Sequence, residues 1–175
     1  MGGAEYMKSI KKYETIINEA LRSALEYDTP EGQINEFISF FGKHIGSDRI
    51  YIFEDDEEHH VTNNTYEWCT EGITPQIEHL QGVNMEVIDW WYDTFDEGKS
   101  VIISDVEELK GVHQVSYNML KYQNVRKVVV SPLRHKGQIK GFFGVDNPPA
   151  VDYSALTMFL DMIGTMLISL LKIRN

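Results

Sequence analysis

The chain has 175 residues, 42% of them apolar and 25% charged, enough for one domain with its own core and unlike the composition of a disordered polymer. Its 27 acidic residues against 16 Lys and Arg give a net charge of -11, which opposes binding to nucleic acid or anionic lipid. A single cysteine, Cys69, excludes an intrachain disulfide, a CxxC redox pair and a cysteine-based zinc cluster, and fits a reduced, cytoplasmic setting.

The opening Met1-Gly2-Gly3-Ala4-Glu5 lacks the basic start and apolar run of a secretion signal, and residues 1–4 are open to reading as an expression scar. Ile10, Tyr13, Ile16, Ile17, Leu21 and Leu25 recur at helical spacing and predict an amphipathic helix over about 5–27. Thr29 as N-cap and Pro30 at the first helical position start a second helix that carries Ile34, Phe37, Ile38, Phe41 and Ile45 and stops at Gly46. Strands are predicted at Arg49–Glu54 and Thr65–Cys69, with the polar 55–64 segment as a hairpin connection. A helix with Val87, Trp90, Trp91 and Phe95 precedes a short strand at Ser100–Ile103.

Two short helical pieces, 105–110 and 114–123, lead to the clearest hairpin in the chain, 127–133 and 138–145 around Arg134-His135-Lys136-Gly137. Asp146-Asn147-Pro148-Pro149 ends it, and 153–173 is the closing helix. The greasy stretch Leu156–Leu171 is interrupted by Asp161, Gly164, Thr165 and Ser169 and falls short of the roughly 20 apolar residues that span a bilayer, so it reads as a soluble helix. This order predicts an α+β fold with a central antiparallel sheet of about five to six strands.

Four sequence words resemble bacterial GAF domains, especially those attached to cyclic-di-nucleotide signalling enzymes. They are Arg49-Ile50-Tyr51-Ile52-Phe53-Glu54, Thr65-Tyr66-Glu67-Trp68-Cys69 with Gly72-Ile73, Val128-Val129-Val130-Ser131-Pro132-Leu133, and Gly141-Phe142-Phe143-Gly144-Val145-Asp146-Asn147-Pro148. The resemblance runs from about Asp28 to Asn175. It implies one domain over 1–175, with N- and C-terminal helices (about 5–27 and 151–175) on one sheet face and a ligand cavity within 28–150 on the other. It also implies a sensory binding module, not an enzyme, cut from or belonging to a longer signalling chain with an output domain.

The expected ligand-binding residues are Trp68, Trp90, Trp91, Tyr117, Lys121 and Ser131, with aromatic core as the competing reading of the tryptophans. Trp90 and Trp91 are adjacent on a helix, about 100° apart, so one of them suits a pocket better than the pair. The stretch from Lys110 to Lys140 holds seven Lys and Arg and no acid; it could draw an anionic ligand or simply guard edge strands. Glu54–Glu58 with His59 and His60 lacks the pattern of a calcium loop and reads as a solvated turn, so no metal is expected. Cys69 lacks the surroundings of bilin-attaching members, the Asn-Lys-Phe-Asp-Glu type motif of cyclic-nucleotide binders is absent, and sulfoxide-reducing members need several cysteines. The ligand is therefore an unidentified small molecule, and the cofactor is unknown. The Met-rich edge of the last helix, Met158, Met162 and Met166, packs either on another subunit, giving a homodimer through the terminal helices, or against the first helix within one chain; the alternative function is a ligand-free dimerisation module.

Overall fold

The computed structural model describes residues 2–149 and 152–174. Met1, Asn175 and the expected boundary at 150/151 lie outside them. The elements are α1 Gly2–Ala24, α2 Pro30–Ile45, β1 Arg49–Asp56, β2 Val61–Cys69, β3 Val83–Asn84, α3 Asp89–Asp96, β4 Val101–Ile103, α4 Gln114–Tyr122, β5 Val128–His135, β6 Gln138–Asp146 and α5 Tyr153–Ile173. The six strands form one sheet in the order β3-β2-β1-β6-β5-β4, antiparallel at every pairing.

Local chemistry sets the boundaries. The Thr29 hydroxyl accepts from the Gly32 amide at 3.0 Å, Pro30 opens α2, and Gly46 closes it in the left-handed conformation at φ 79°. The β5–β6 turn places both Lys136 and Gly137 at positive φ, the geometry that matches the right-handed twist of a two-residue hairpin.

The sheet is covered on both faces because alternate residues of its central strands are apolar on both sides. Ile50, Ile52, Val129, Phe143 and Val145 pack under α1, α2 and α5 with Phe37, Phe41, Leu160 and Leu167. Tyr51, Phe53, Val128, Val130 and Phe142 pack on the other face with Trp91, Phe95 and Leu120. The two cores share no side chain; the sheet is the wall between them.

Several details differ from the sequence expectation. β2 starts at Val61, earlier than Thr65, because the polar Thr62, Asn63 and Asn64 continue the ladder past a bulge opposite Ile52 and Phe53. β3, two residues at Val83–Asn84, carries no sequence signal of its own. α5 spans 21 residues and contains an 18-residue window of mean hydropathy 1.7, long and apolar enough to cross a membrane by those measures, against the expectation that its apolar stretch is too short. Its side bearing Leu156, Phe159, Leu160, Ile163, Leu167 and Leu171 is buried in the helical core.

Gly42 of α2 shows how closely the helices sit on the sheet. A Cβ there would stand 2.4 Å from the Trp68 ring and 2.7 Å from Ile50. Gly42→Ala should therefore cost about 1–3 kcal/mol of stability in urea unfolding, and clearly less in a Trp68→Val background. Equal cost in both backgrounds would mean that the ring is not what limits the approach.

Candidate functional site

On the face away from the terminal helices, α3, α4 and the 70–82 segment roof the sheet and enclose a cavity lined from β1, β2, β6 and the roof. The space open to the centres of water molecules is about 30 Å³, enough for about two waters. Its apolar end is aromatic: Phe53 and Phe142 stack at 4.7 Å, Trp91 meets Phe142 edge-on at 5.5 Å, and Tyr51 meets Phe53 edge-on at 5.6 Å. Leu80, Val83, Ile88, Met119 and Leu120 close the roof.

The other end is polar. Arg49 at the start of β1 lies directly across from Asp146 at the end of β6, and its Nη1 donates to Asp146 Oδ2 at 2.6 Å. Nη2 donates to the Thr74 carbonyl at 2.9 Å. Nε stands 3.5 Å from Glu67 Oε2 on β2. The Glu67 carboxylate in turn accepts from the backbone amides of Gln76 and Ile77 at 3.0 to 3.3 Å. One guanidinium and two carboxylates, each side chain no more than 4% exposed, thus tie the roof segment to three strands.

Three buried polar atoms of cavity residues have no hydrogen-bond partner: Arg49 Nε, Asp146 Oδ1 and Trp91 Nε1. Such atoms are scarce in folded proteins because each forfeits its water contacts without replacement. Burial pushes the Asp146 carboxyl up to about 6, with the Arg49 charge pulling the other way. Burial, then the nearby Asp146 charge, raises the Tyr51 hydroxyl well above its ordinary value. Cys69 is also raised, by burial and by Glu67, and a thiol held protonated is a poor nucleophile.

The structure separates the residues singled out from the sequence. Trp91 lines the cavity. Trp90 turns outward, stacks on His113 at 4.2 Å and donates to Ser116 at 3.0 Å in a separate open depression. Tyr117 and Lys121 project from α4 to a shared partner outside the cavity, Glu107, at 3.0 and 2.7 Å. Trp68 and Ser131 lie on the opposite face: Trp68 packs on Gly42, and Ser131 meets Ser100 at 2.9 Å. The expected grouping of Trp68, Trp90, Trp91 and Tyr117 around one pocket is thereby corrected, since strand alternation sends Trp68 to the helices and Trp90 and Tyr117 face away from the cavity.

Sequence reasoning passed over Arg49, Tyr51, Glu67 and Asp146. The available signal was charge inside apolar alternation: Arg49, Glu67 and Asp146 occupy inward positions of strands whose neighbours are Ile, Tyr, Trp and Val. The acidic run is dispersed, with Glu54 on Arg174, Asp55 on Tyr92, Asp56 on His59 and Glu57 on Lys140. Among the described residues no group of three His, Cys, Asp or Glu is placed to share a metal ion. Arg134 donates to the Phe95 carbonyl and Lys140 to Glu57, so the basic stretch is spread over the exterior.

The buried triad gives a pH signature. In the folded chain Asp146 holds its proton to about pH 6, above an unfolded value near 3.9, so its effect favours the fold below the unfolded value and is lost as pH rises through the folded one. Arg49→Met removes the cation that opposes this shift. The variant should lose about 3–5 kcal/mol in urea unfolding at pH 7.5 and noticeably less at pH 5; an equal loss at both values would contradict the assigned charges.

No known-family profile and no curated protein matches the sequence. Solved structures do match over nearly the whole chain. A GAF domain from a phosphoenolpyruvate-protein phosphotransferase of Coxiella burnetii is 10% identical, with TM-score 0.71, covering 93% of this chain and 94% of that one. The phycocyanobilin-bound GAF domain of a cyanobacterial phytochrome is 16% identical, with TM-score 0.69 and coverage of 93% and 98%. Free methionine-R-sulfoxide reductase from Neisseria meningitidis, solved with its substrate, is 12% identical, with TM-score 0.68 and coverage of 94% and 91%. With its six-stranded antiparallel sheet between terminal helices and a roofed cavity, the chain has the fold of GAF domains.

Proposed function

We propose that this chain is a sensory binding module that takes a small ligand in the cavity under α3 and α4. The observation that supports this most is the pairing of a roofed aromatic cavity with unpartnered buried polar atoms on residues that line it. A site that leaves buried donors and acceptors without protein partners is one in which a ligand can supply them. Signal would leave through the terminal helices. Arg174, just past α5, holds Glu54 of β1 through two contacts of 2.7 and 2.8 Å and also reaches Tyr66 at 3.3 Å. Glu54 sits between Phe53, a cavity wall, and Asp55, which accepts from Tyr92 of α3 at 2.7 Å. A shift of the roof is thus one residue removed from the anchor of α5.

The neighbours that carry bilins do not define this ligand. Space for about two waters, walled by Tyr51, Phe53, Trp91 and Phe142, does not fit a tetrapyrrole, and Cys69 lies beside Arg49 and Glu67, outside the cavity lining, with its thiol held protonated. The role is binding, not catalysis, within a single cytoplasmic domain over 1–175 of a longer signalling chain that includes an output domain.

A second reading, a dimerisation module without ligand, draws on the exposed Met7 of α1 and Met158, Met162 and Ile173 of α5. The two readings combine if the helices dimerise and the cavity is occupied. Sedimentation over a wide concentration range should show a dimer that Met158→Glu with Met162→Glu returns to monomer; a strict monomer throughout would remove dimerisation from the account.

A thermal-shift screen of amines, amino acids, organic acids and nucleotides should yield a saturable rise in Tm with one chemical class. Val83→Trp, which fills the cavity from a short edge strand, should abolish that rise while the free protein still unfolds cooperatively. A rise that survives the substitution would place binding elsewhere.

A further inference from the structure

Resting on the sensory reading of the cavity, the geometry points to a ligand class: we infer that the site takes a small organic cation, a primary amine carrying a hydrogen-bond acceptor. The charge count comes first. Arg49 is the one cation at the polar end and is already engaged by Asp146 at 2.6 Å, with Glu67 at 3.5 Å. An anionic ligand would be a third negative group around one guanidinium in a site with little water, where unpaired charge is costly. A cation instead completes two pairs.

The unpartnered atoms fit the same answer. Asp146 Oδ1 is a buried acceptor without a hydrogen-bond partner, and the Tyr51 hydroxyl stands close enough to favour the ionised carboxylate. An ammonium group supplies the donor, and a charge-assisted bond of this kind is stronger than a neutral one. Trp91 Nε1 is a donor with nothing to receive its hydrogen. An acceptor on the ligand, a hydroxyl or carbonyl oxygen, satisfies it. Tyr51, Phe53, Trp91 and Phe142 line the remainder, and a ring that turns its face to a cation attracts it once water is excluded. Volume sets the scale, because space for about two waters admits a few heavy atoms with the roof closed.

The Lys- and Arg-rich 110–140 stretch, open to reading as an anion site or as a guard of edge strands, takes no part in this site. Those side chains are outside the cavity, and Lys121 and Lys140 are paired with Glu107 and Glu57.

The test is calorimetric titration at pH 7.5 with ethanolamine and ethylammonium as probes, set against acetate and glycolate. Ethanolamine should bind saturably, ethylammonium more weakly, and the two anions not at all. Trp91→Phe should weaken ethanolamine about tenfold, the loss of one hydrogen bond, and leave ethylammonium unchanged. Asp146→Asn should weaken both amines, with cooperative thermal unfolding of the free variant showing that it is folded. Binding of glycolate or acetate with the amines inert overturns the cation assignment and leaves the sensory reading standing. Amine binding indifferent to both substitutions overturns the placement at Asp146 and Trp91. Binding of none of the probes, nor of any compound in the wider screen, overturns the cation assignment and the sensory reading together.

Discussion

The cross-strand pairing of Arg49 with Asp146 sets the face of every residue on the two central strands. The two are Cα partners in the β1–β6 ladder and joined through their side chains at 2.6 Å. Slipping that register by one residue would put Ile50 and Val145 toward the roof and drive Arg49 and Asp146 into the helical core. Neither charge could be tolerated among Phe37, Phe41 and Leu160. A buried ion pair contributes little net stability against a hydrophobic alternative, but as a register pin it discriminates strongly between one alignment and the next.

From that alignment follows the division of labour between the faces. Apolar residues facing α1, α2 and α5 build a filled core in which even Gly42 has no room for a methyl group. The face beneath α3 and α4 mixes aromatics with a charged triad and retains open space and unpartnered atoms. Core packing of the first kind holds position; a site of the second kind leaves interactions unmade, and a ligand can make them. The roof is tied down by polar contacts, Arg49 to Thr74 and Glu67 to Gln76 and Ile77.

The fold was more legible than the site. α2 announced both its ends through Thr29, Pro30 and Gly46, and the β5–β6 hairpin showed itself by apolar runs on either side of Lys136-Gly137. β2 was shortened in the reading because Thr62, Asn63 and Asn64 look like loop, although the bulge carries them into the ladder. Among the candidate residues Trp91 lines the cavity, whereas Trp68 and Ser131 share apolar strand words with cavity residues and differ only in parity. Parity is set by long-range pairing, which a single strand word does not encode. Arg49 and Asp146 stand 97 positions apart, so the local signal, a charge within apolar alternation, reads as inward only once the two are paired across the sheet.

Trp91, with its unpartnered indole N–H, reports most directly on the cavity. A proton–nitrogen correlation spectrum separates the indole signals of Trp68, Trp90 and Trp91, assigned by single Trp→Phe substitutions. On titration with the tightest ligand of the screen, the Trp91 indole signal should move downfield in proportion to occupancy while that of Trp68, across the sheet, stays in place. A titration that saturates with Trp91 unmoved, or with Trp68 moving in its stead, would contradict the placement of the ligand in this cavity.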